Sequence, residues 1–194
     1  MAQPTTTFLD ELMAAARGCV ALLIGNRQAP SYFDFSQRGL VGSFIALVIG
    51  LSAQAFGPQP VSPPDTGSVA GVLILTAMVV AIQIGVAYVV LRLLGRGDGL
   101  TPFVVVLNWA SMFQGLIAVM LIVAFGPILV VDPASRMMQF TSGSVPYMAL
   151  SIAALVVWVN IARLILTLRP KHVALFVIAQ LGAAFIIQLF VSVA

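Results

Sequence analysis

The chain alternates five long apolar runs with short polar loops. The runs cover residues 39–56, 68–94, 102–131, 146–168 and 173–194. A helix of about 20 mainly apolar residues crosses a hydrocarbon core of roughly 30 Å. No run alternates apolar and polar residues as a barrel strand would, and only a helix bonds its backbone within its own segment. The pattern predicts an all-α integral membrane protein with five transmembrane helices over residues 39–194. The third run exceeds what a bilayer requires, so we expect its last turns to tilt or to kink at Gly126-Pro127.

Residues 1–38 are predicted to form a cytoplasmic segment that contains one amphipathic helix, over about residues 7–25. Thr7 is placed to cap this helix, with Asp10 three residues on, and Gly25-Asn26 is placed to end it. Such a helix, too mixed to span, is typical of one that lies in the membrane interface. It either docks a partner protein or only rests on lipid. Its apolar face recurs at helical spacing and consists of Phe8, Leu9, Leu12, Met13, Ala16, Val20 and Leu23.

Composition agrees with this architecture. Hydrophobic residues make up 61% of the chain and charged residues only 8%, against about 45–50% and 25% in soluble domains. So few charges cannot cover a separate soluble domain. The ratio of Arg to Lys is high, which indicates a GC-rich, bacterial genome. We therefore predict a multi-pass protein of the bacterial inner membrane.

The basic residues set a predicted orientation. They flank the runs on alternate loops rather than forming a cluster, so they indicate topology and no nucleic-acid partner. The loop before the fourth run has Arg136 alone, and the first loop has no Lys or Arg. The positive-inside rule then gives a cytoplasmic N-terminus and an external C-terminus. The predicted cytoplasmic basic rim consists of Arg17, Arg27, Arg38, Arg92, Arg96, Arg163, Arg169 and Lys171.

Small residues at spacings of about four predict close helix packing, because they let two backbones approach. The packing is either internal to one subunit or the contact of a homo-oligomer. In the second run the predicted residues are Gly67, Gly71, Ala77, Ala81 and Gly85, and in the last two runs they are Ala149, Ala153, Ala179 and Ala183.

Few polar residues interrupt the runs, and Asn108, Ser111 and Gln114 share one face of the third helix. With Gln83 and Asn160 they form the predicted polar intramembrane cluster. These side chains either bond neighbouring helices to each other or line a polar path. The other amide side chains inside the runs are Gln54, Gln180 and Gln188.

Residues for catalysis are missing from the spans. No Asp, Glu, Lys or His lies near the middle of any run, Cys19 is the only cysteine and His172 the only histidine. No metal site, cofactor site or nucleophile–base pair is predicted, and the chain is predicted not to be an enzyme. The stretch Gly95-Arg96-Gly97-Asp98-Gly99 lacks the spacing of a phosphate loop and is predicted to be a tight turn.

The same turn carries a resemblance to a known family. Leu93-Leu94-Gly95-Arg96-Gly97-Asp98-Gly99, followed by Phe103, Leu107 and Trp109-Ala110-Ser111-Met112, resembles the second-to-third-span region of the Yip family. Arg96 stands where a second Gly is usual in that family, and Met112 or Phe113 where Pro is usual. The resemblance implies five spans, a cytoplasmic N-terminus and no known chemistry. It carries no Rab GTPase partner over to a bacterium.

These observations predict a non-enzymatic inner-membrane protein. It is expected to act as a scaffold, accessory subunit or membrane-organising partner of other membrane proteins, or of further copies of itself. The alternative is a small channel or carrier for a neutral or weakly polar solute, lined by Gln83, Asn108, Gln114 and Asn160. The two differ in whether these polar side chains meet at one cavity or make separate helix contacts.

Overall fold

The computed structural model describes residues 7–62, 69–131 and 137–193. Its helices are α1 (Phe8–Leu23), α2 (Gln37–Phe56), α3 (Val69–Leu93), α4 (Leu100–Phe125), α5 (Ser144–Asn160) and α6 (Pro170–Val193). A π-helix, Ile161–Ile165, extends α5. Within the described residues, five helical segments are long and apolar enough to cross a membrane: Gln37–Phe56, Leu73–Leu93, Gly97–Phe125, Ser144–Ile165 and Pro170–Ile187. The predicted number of membrane-length apolar helices is confirmed, whereas the all-α prediction is wrong in one detail, because the described residues also form a small three-stranded sheet.

Helix α1 begins and ends as its sequence predicts. The Thr7 side chain accepts from the Asp10 backbone amide, and the Asp10 carboxylate accepts from the Thr7 amide, which completes a capping box. The Thr7 amide and the Thr7 hydroxyl both donate to the Asp10 carboxylate, and these two bonds lower its pKa. At the other end Gly25 has φ of 70°. The Asn26 amide donates to the Ala21 carbonyl and the Gly25 amide to that of Leu22, which is the Schellman arrangement that satisfies terminal carbonyls.

Helix α4 is the centre of the bundle. Every residue from Phe103 to Trp109 is buried, as expected of a helix surrounded by others. The Phe103 ring packs edge-to-face on Phe176 of α6 and on Trp158 of α5, with centroids 5.3 Å and 6.0 Å apart. Phe8 of α1 stacks on Trp109 at 5.8 Å. Aromatic contacts therefore join α4 to three other helices.

Helices α2 and α4 approach each other most closely where glycine removes a side chain. A Cβ built on Gly50 would lie 2.7 Å from the Cα of Met112, and one on Gly115 would lie 2.5 Å from Gln54 Nε2. Nearer the N-terminal ends of the two helices, the buried Asn108 Nδ2 of α4 donates to Ser43 Oγ of α2 over 3.1 Å. This contact fixes the two helices against each other along most of their length.

The third span is shorter than predicted. Helix α4 ends at Phe125, whereas the apolar run continues to Val131. Gly126 takes φ of 83° and Pro127 follows it, so the helix stops rather than kinks. The last residues form β2 (Leu129–Val131), which pairs in parallel with β1 (Val61–Ser62) and antiparallel with β3 (Met138–Phe140).

The connection between α5 and α6 is irregular. At the end of the π-helix, the amide of Leu166 donates to the carbonyl of Ile161, five residues earlier in the chain. Thr167 follows with φ of 49°, a left-handed conformation that is costly for a β-branched residue. Its hydroxyl accepts from Arg96 Nη2 over 2.9 Å. Gly95, which directly precedes Arg96, has φ of 68°. The predicted glycine turn is therefore present between α3 and α4.

Candidate functional site

The small-residue face predicted on α3 points away from the rest of the chain. Ala77, Ala81 and Gly85 are all exposed. A Cβ built on Gly85 would meet no atom within 4 Å, and the same holds for Gly182 of α6. Gly71 is exposed as well, and Gly67 lies outside the described residues. The one described chain therefore leaves this face of α3 uncovered.

The other predicted packing residues are scattered. Ala149 is exposed, whereas Ala153, Ala179 and Ala183 are half-buried. The closest helix contact of the fold instead uses Ser43, Ala46 and Gly50 of α2, which the prediction did not include. All three are buried. Their spacing of three to four was a usable signal in the sequence, equal in kind to the one on α3.

Three members of the predicted polar cluster meet at one cavity. Gln83 of α3 and Ser111 and Gln114 of α4 line a space of about 180 Å³ between α2, α3 and α4. Gln54 and Trp158 line it as well. We call this space the inner cleft. The polar side chains that line it are uncharged in the described part of the chain. Gln54 was not among the residues predicted for the cluster.

A second, smaller cavity lies between α3, α5 and α6. It has a volume of about 100 Å³ and is lined by Gln83, Trp158, Val177, Gln180, Leu181 and Ala184. Gln83 and Trp158 line both spaces. We call the smaller space the Gln180 chamber.

Gln180 is the residue that sequence reasoning passed over. It is 2% exposed, and its Nε2 donates to the Gln83 backbone carbonyl over 3.0 Å. A carbonyl can only accept, so this bond fixes which end of the amide is nitrogen. The Oε1 atom then accepts no hydrogen bond from any described residue. Such a buried acceptor costs free energy unless something donates to it.

Asn108 and Asn160 lie apart from the inner cleft. Asn108 bonds Ser43, as described above, and its Oδ1 has no hydrogen-bond partner within the described part of the chain. Asn160 Nδ2 donates to the Leu22 carbonyl over 2.8 Å and so ties the end of α5 to α1. The predicted cluster is thus divided: three members line a cavity and two make helix contacts.

An apolar groove of about 250 Å³ runs between α1, α4 and α5. Cys19 and Val20 line it from α1, and Ala153 and Trp158 from α5. Burial raises the pKa of the Cys19 thiol to about 12, so this cysteine is neutral and unreactive at physiological pH. Ser111 and Gln114 line the groove as well as the inner cleft.

The basic rim residues belong to one end of the bundle, where Arg17 lies within α1 and the others lie at or near helix ends or in loops. Arg38 lies 3.3 Å from the Glu11 carboxylate, and Arg96 bonds Thr167. Arg92 donates to the Tyr88 hydroxyl over 2.8 Å. The remaining predicted members are exposed or nearly so: Arg17, Arg27, Arg163, Arg169 and Lys171. Arg136 lies outside the described residues.

Among the described residues, no three His, Cys, Asp or Glu side chains lie close enough together to hold a metal ion. Comparison with known proteins adds no function. No protein-family model, no curated protein and no solved structure matches this chain. The resemblance to the Yip family therefore stays a prediction.

Proposed function

We propose that this chain is a non-enzymatic membrane protein that associates, through the exposed face of α3, with another membrane protein or with a second copy of itself. The observation that carries the proposal is the uncovered row of Ala77, Ala81 and Gly85. Lipid tails are as apolar as leucine, so helices in a bilayer associate through close backbone approach at small residues. The corresponding small residues of α2, Ser43, Ala46 and Gly50, are already buried against α4 within the chain.

The proposed orientation has a cytoplasmic N-terminus, with α1 at the inner interface of a bacterial inner membrane. The charge count supports this, because the basic rim residues belong to one end of the bundle. Helix α1 also has a suitable outer surface, since Leu9, Met13 and Val20 are exposed. A reporter fused after Ala194 is expected to face the outside; a cytosolic reporter would contradict the orientation.

Leucine substitutions on α3 test the association. Ala81→Leu and Gly85→Leu add bulk where the chain itself has room, so the fold is expected to persist while association is lost. Ala174→Leu on exposed α6 is the matched control. Mass measurement in lipid nanodiscs, with cross-linking of Ala81→Cys in a Cys19→Ser background, follows the outcome. A wild-type protein that is monomeric and carries no other protein under several mild conditions would contradict the proposal.

A second candidate function is passage of a neutral or weakly polar solute. The meeting of Gln83, Ser111 and Gln114 with Gln54 at the inner cleft favours it. Flux of a small neutral amide into proteoliposomes, measured by light scattering, is expected to exceed that of empty liposomes. A Gln83→Leu variant is expected to reduce that flux. Equal flux with and without the protein would remove this candidate.

A further inference from the structure

We infer that the inner cleft and the Gln180 chamber form one binding site for a small, uncharged molecule that donates hydrogen bonds, with Gln180 as the residue that recognises the donor. The inference deepens the second candidate function, although it requires only binding and not passage. Two properties of the two cavities support it: their lining and the unpaired acceptor.

The lining selects an uncharged ligand. Polar groups are supplied by amide and hydroxyl side chains: Gln54, Thr76, Gln83, Ser111, Gln114 and Gln180. Among the described residues that line either cavity, none is Asp, Glu, Lys, Arg or His. An ion moved into this space would lose its hydration and gain no opposite charge, which is strongly unfavourable. A neutral solute would exchange water for amide and hydroxyl partners at little cost.

The unpaired acceptor selects a donor. Gln180 Oε1 accepts no hydrogen bond from the described residues, although Gln180 is only 2% exposed. Because Nε2 is held by the Gln83 carbonyl, the amide cannot turn to satisfy the oxygen elsewhere. The oxygen atom is itself buried, so a hydroxyl or N–H group in the chamber would reach it, and remove this cost, only with a small shift of the side chains around it. The chamber volume of about 100 Å³ and that of the inner cleft limit the ligand to a small molecule or to several waters.

Trp158 provides a local probe of the site. The chain contains two tryptophans. Trp158 lines both cavities, whereas Trp109 lies on the other side of α4 against Phe8. In a Trp109→Phe background the remaining fluorescence comes from Trp158, which faces both cavities and also the apolar groove.

Three related solutes separate the alternatives in the full chain reconstituted in nanodiscs. Acetamide is neutral and donates, N,N-dimethylacetamide is neutral and cannot donate, and acetamidinium donates but is charged. We expect a saturable change in Trp158 emission with acetamide and none with the other two. Equal, non-saturable responses to all three, or a response to none, would overturn the inference and leave the cavities as water-filled space.

Two variants test the residue. Gln180→Leu is expected to weaken acetamide binding about tenfold, the usual effect of losing one buried partner. Ala184→Leu fills the Gln180 chamber without removing a polar group and is expected to weaken binding as well. Gln139→Leu, at an exposed position on β3, is the control that leaves binding unchanged. Unaltered binding in both Gln180→Leu and Ala184→Leu would overturn the inference. Binding without flux in proteoliposomes would keep this site and remove only the transport function.

Discussion

Helices α2 and α3 carry nearly the same pattern of small residues and use it in opposite ways. On α2, Gly50 lies so close to α4 that a single added carbon would reach the Met112 backbone. On α3, an added carbon at Gly85 would touch nothing. The spacing of small residues therefore predicts that another helix can approach closely. It does not predict which helix does so, because that depends on how the rest of the bundle packs. The α2–α4 contact is fixed within the chain, and the α3 face is left for something else.

The largest effect is expected from filling the α2–α4 contact. Gly50→Leu places a side chain where α4 backbone already lies, so the helices must separate. We expect a loss of about 3 kcal/mol in the free energy of unfolding, at the upper end of the range for overpacking. Gly85→Leu is the matched control and is expected to leave the stability of the monomer unchanged. Unfolding by SDS titration in mixed micelles measures both. Equal losses in the two variants would abolish the contrast between the two faces.

A smaller effect is expected from the polar bond inside the same contact. Ser43→Ala removes the acceptor of Asn108 and leaves a buried amide with no partner, at a cost of about 2 kcal/mol. Adding Asn108→Leu removes the unpaired amide and is expected to restore most of the stability. Ser111→Ala in the inner cleft, where water can take the place of the hydroxyl, is expected to cost less. If Ser43→Ala and Ser111→Ala lower the free energy of unfolding by the same amount, water reaches the α2–α4 contact as readily as it reaches the inner cleft.

The smallest effect concerns the join between α5 and α6. Thr167 is held in a left-handed conformation that Asn adopts more readily, so Thr167→Asn is expected to stabilise the chain by about 1 kcal/mol. Thr167→Val keeps the strain and loses the hydroxyl that accepts from Arg96, so it is expected to destabilise. Thermal unfolding in detergent compares the two. A change of the same sign in both variants would show that backbone strain at Thr167 is unimportant.

Sequence patterns predicted the helices better than the contacts between them. Hydropathy is a property of each segment, so five spans and the capped helix after Thr7 could be inferred locally. The end of the third span could not, because Leu129–Val131 is apolar enough for a helix and forms a strand only by pairing with β1 and β3. A β-pair between distant loops leaves no local signal.

The candidate site shows the same limit. Ser111 and Gln114 share a helix face, and that much follows from their spacing. Their meeting with Gln54 and Gln83 depends on how three helices are turned, which spacing does not state. Gln180 and Gln188 lie in the same run, and nothing in the sequence distinguished one from the other. Its importance comes from one missing hydrogen bond in the folded bundle.

The small three-stranded sheet makes the two ends of the molecule mechanically unequal. At that end the loops after α2 and α4 share backbone hydrogen bonds, including those from Ile128 and Leu129 to the Pro60 carbonyl. At the opposite end the joints described above are made by side chains, such as Arg96 to Thr167 and Asn160 to Leu22. Side-chain joints exchange faster than paired strands, so we expect thermal fluctuations of the bundle to be larger at the arginine-rich end.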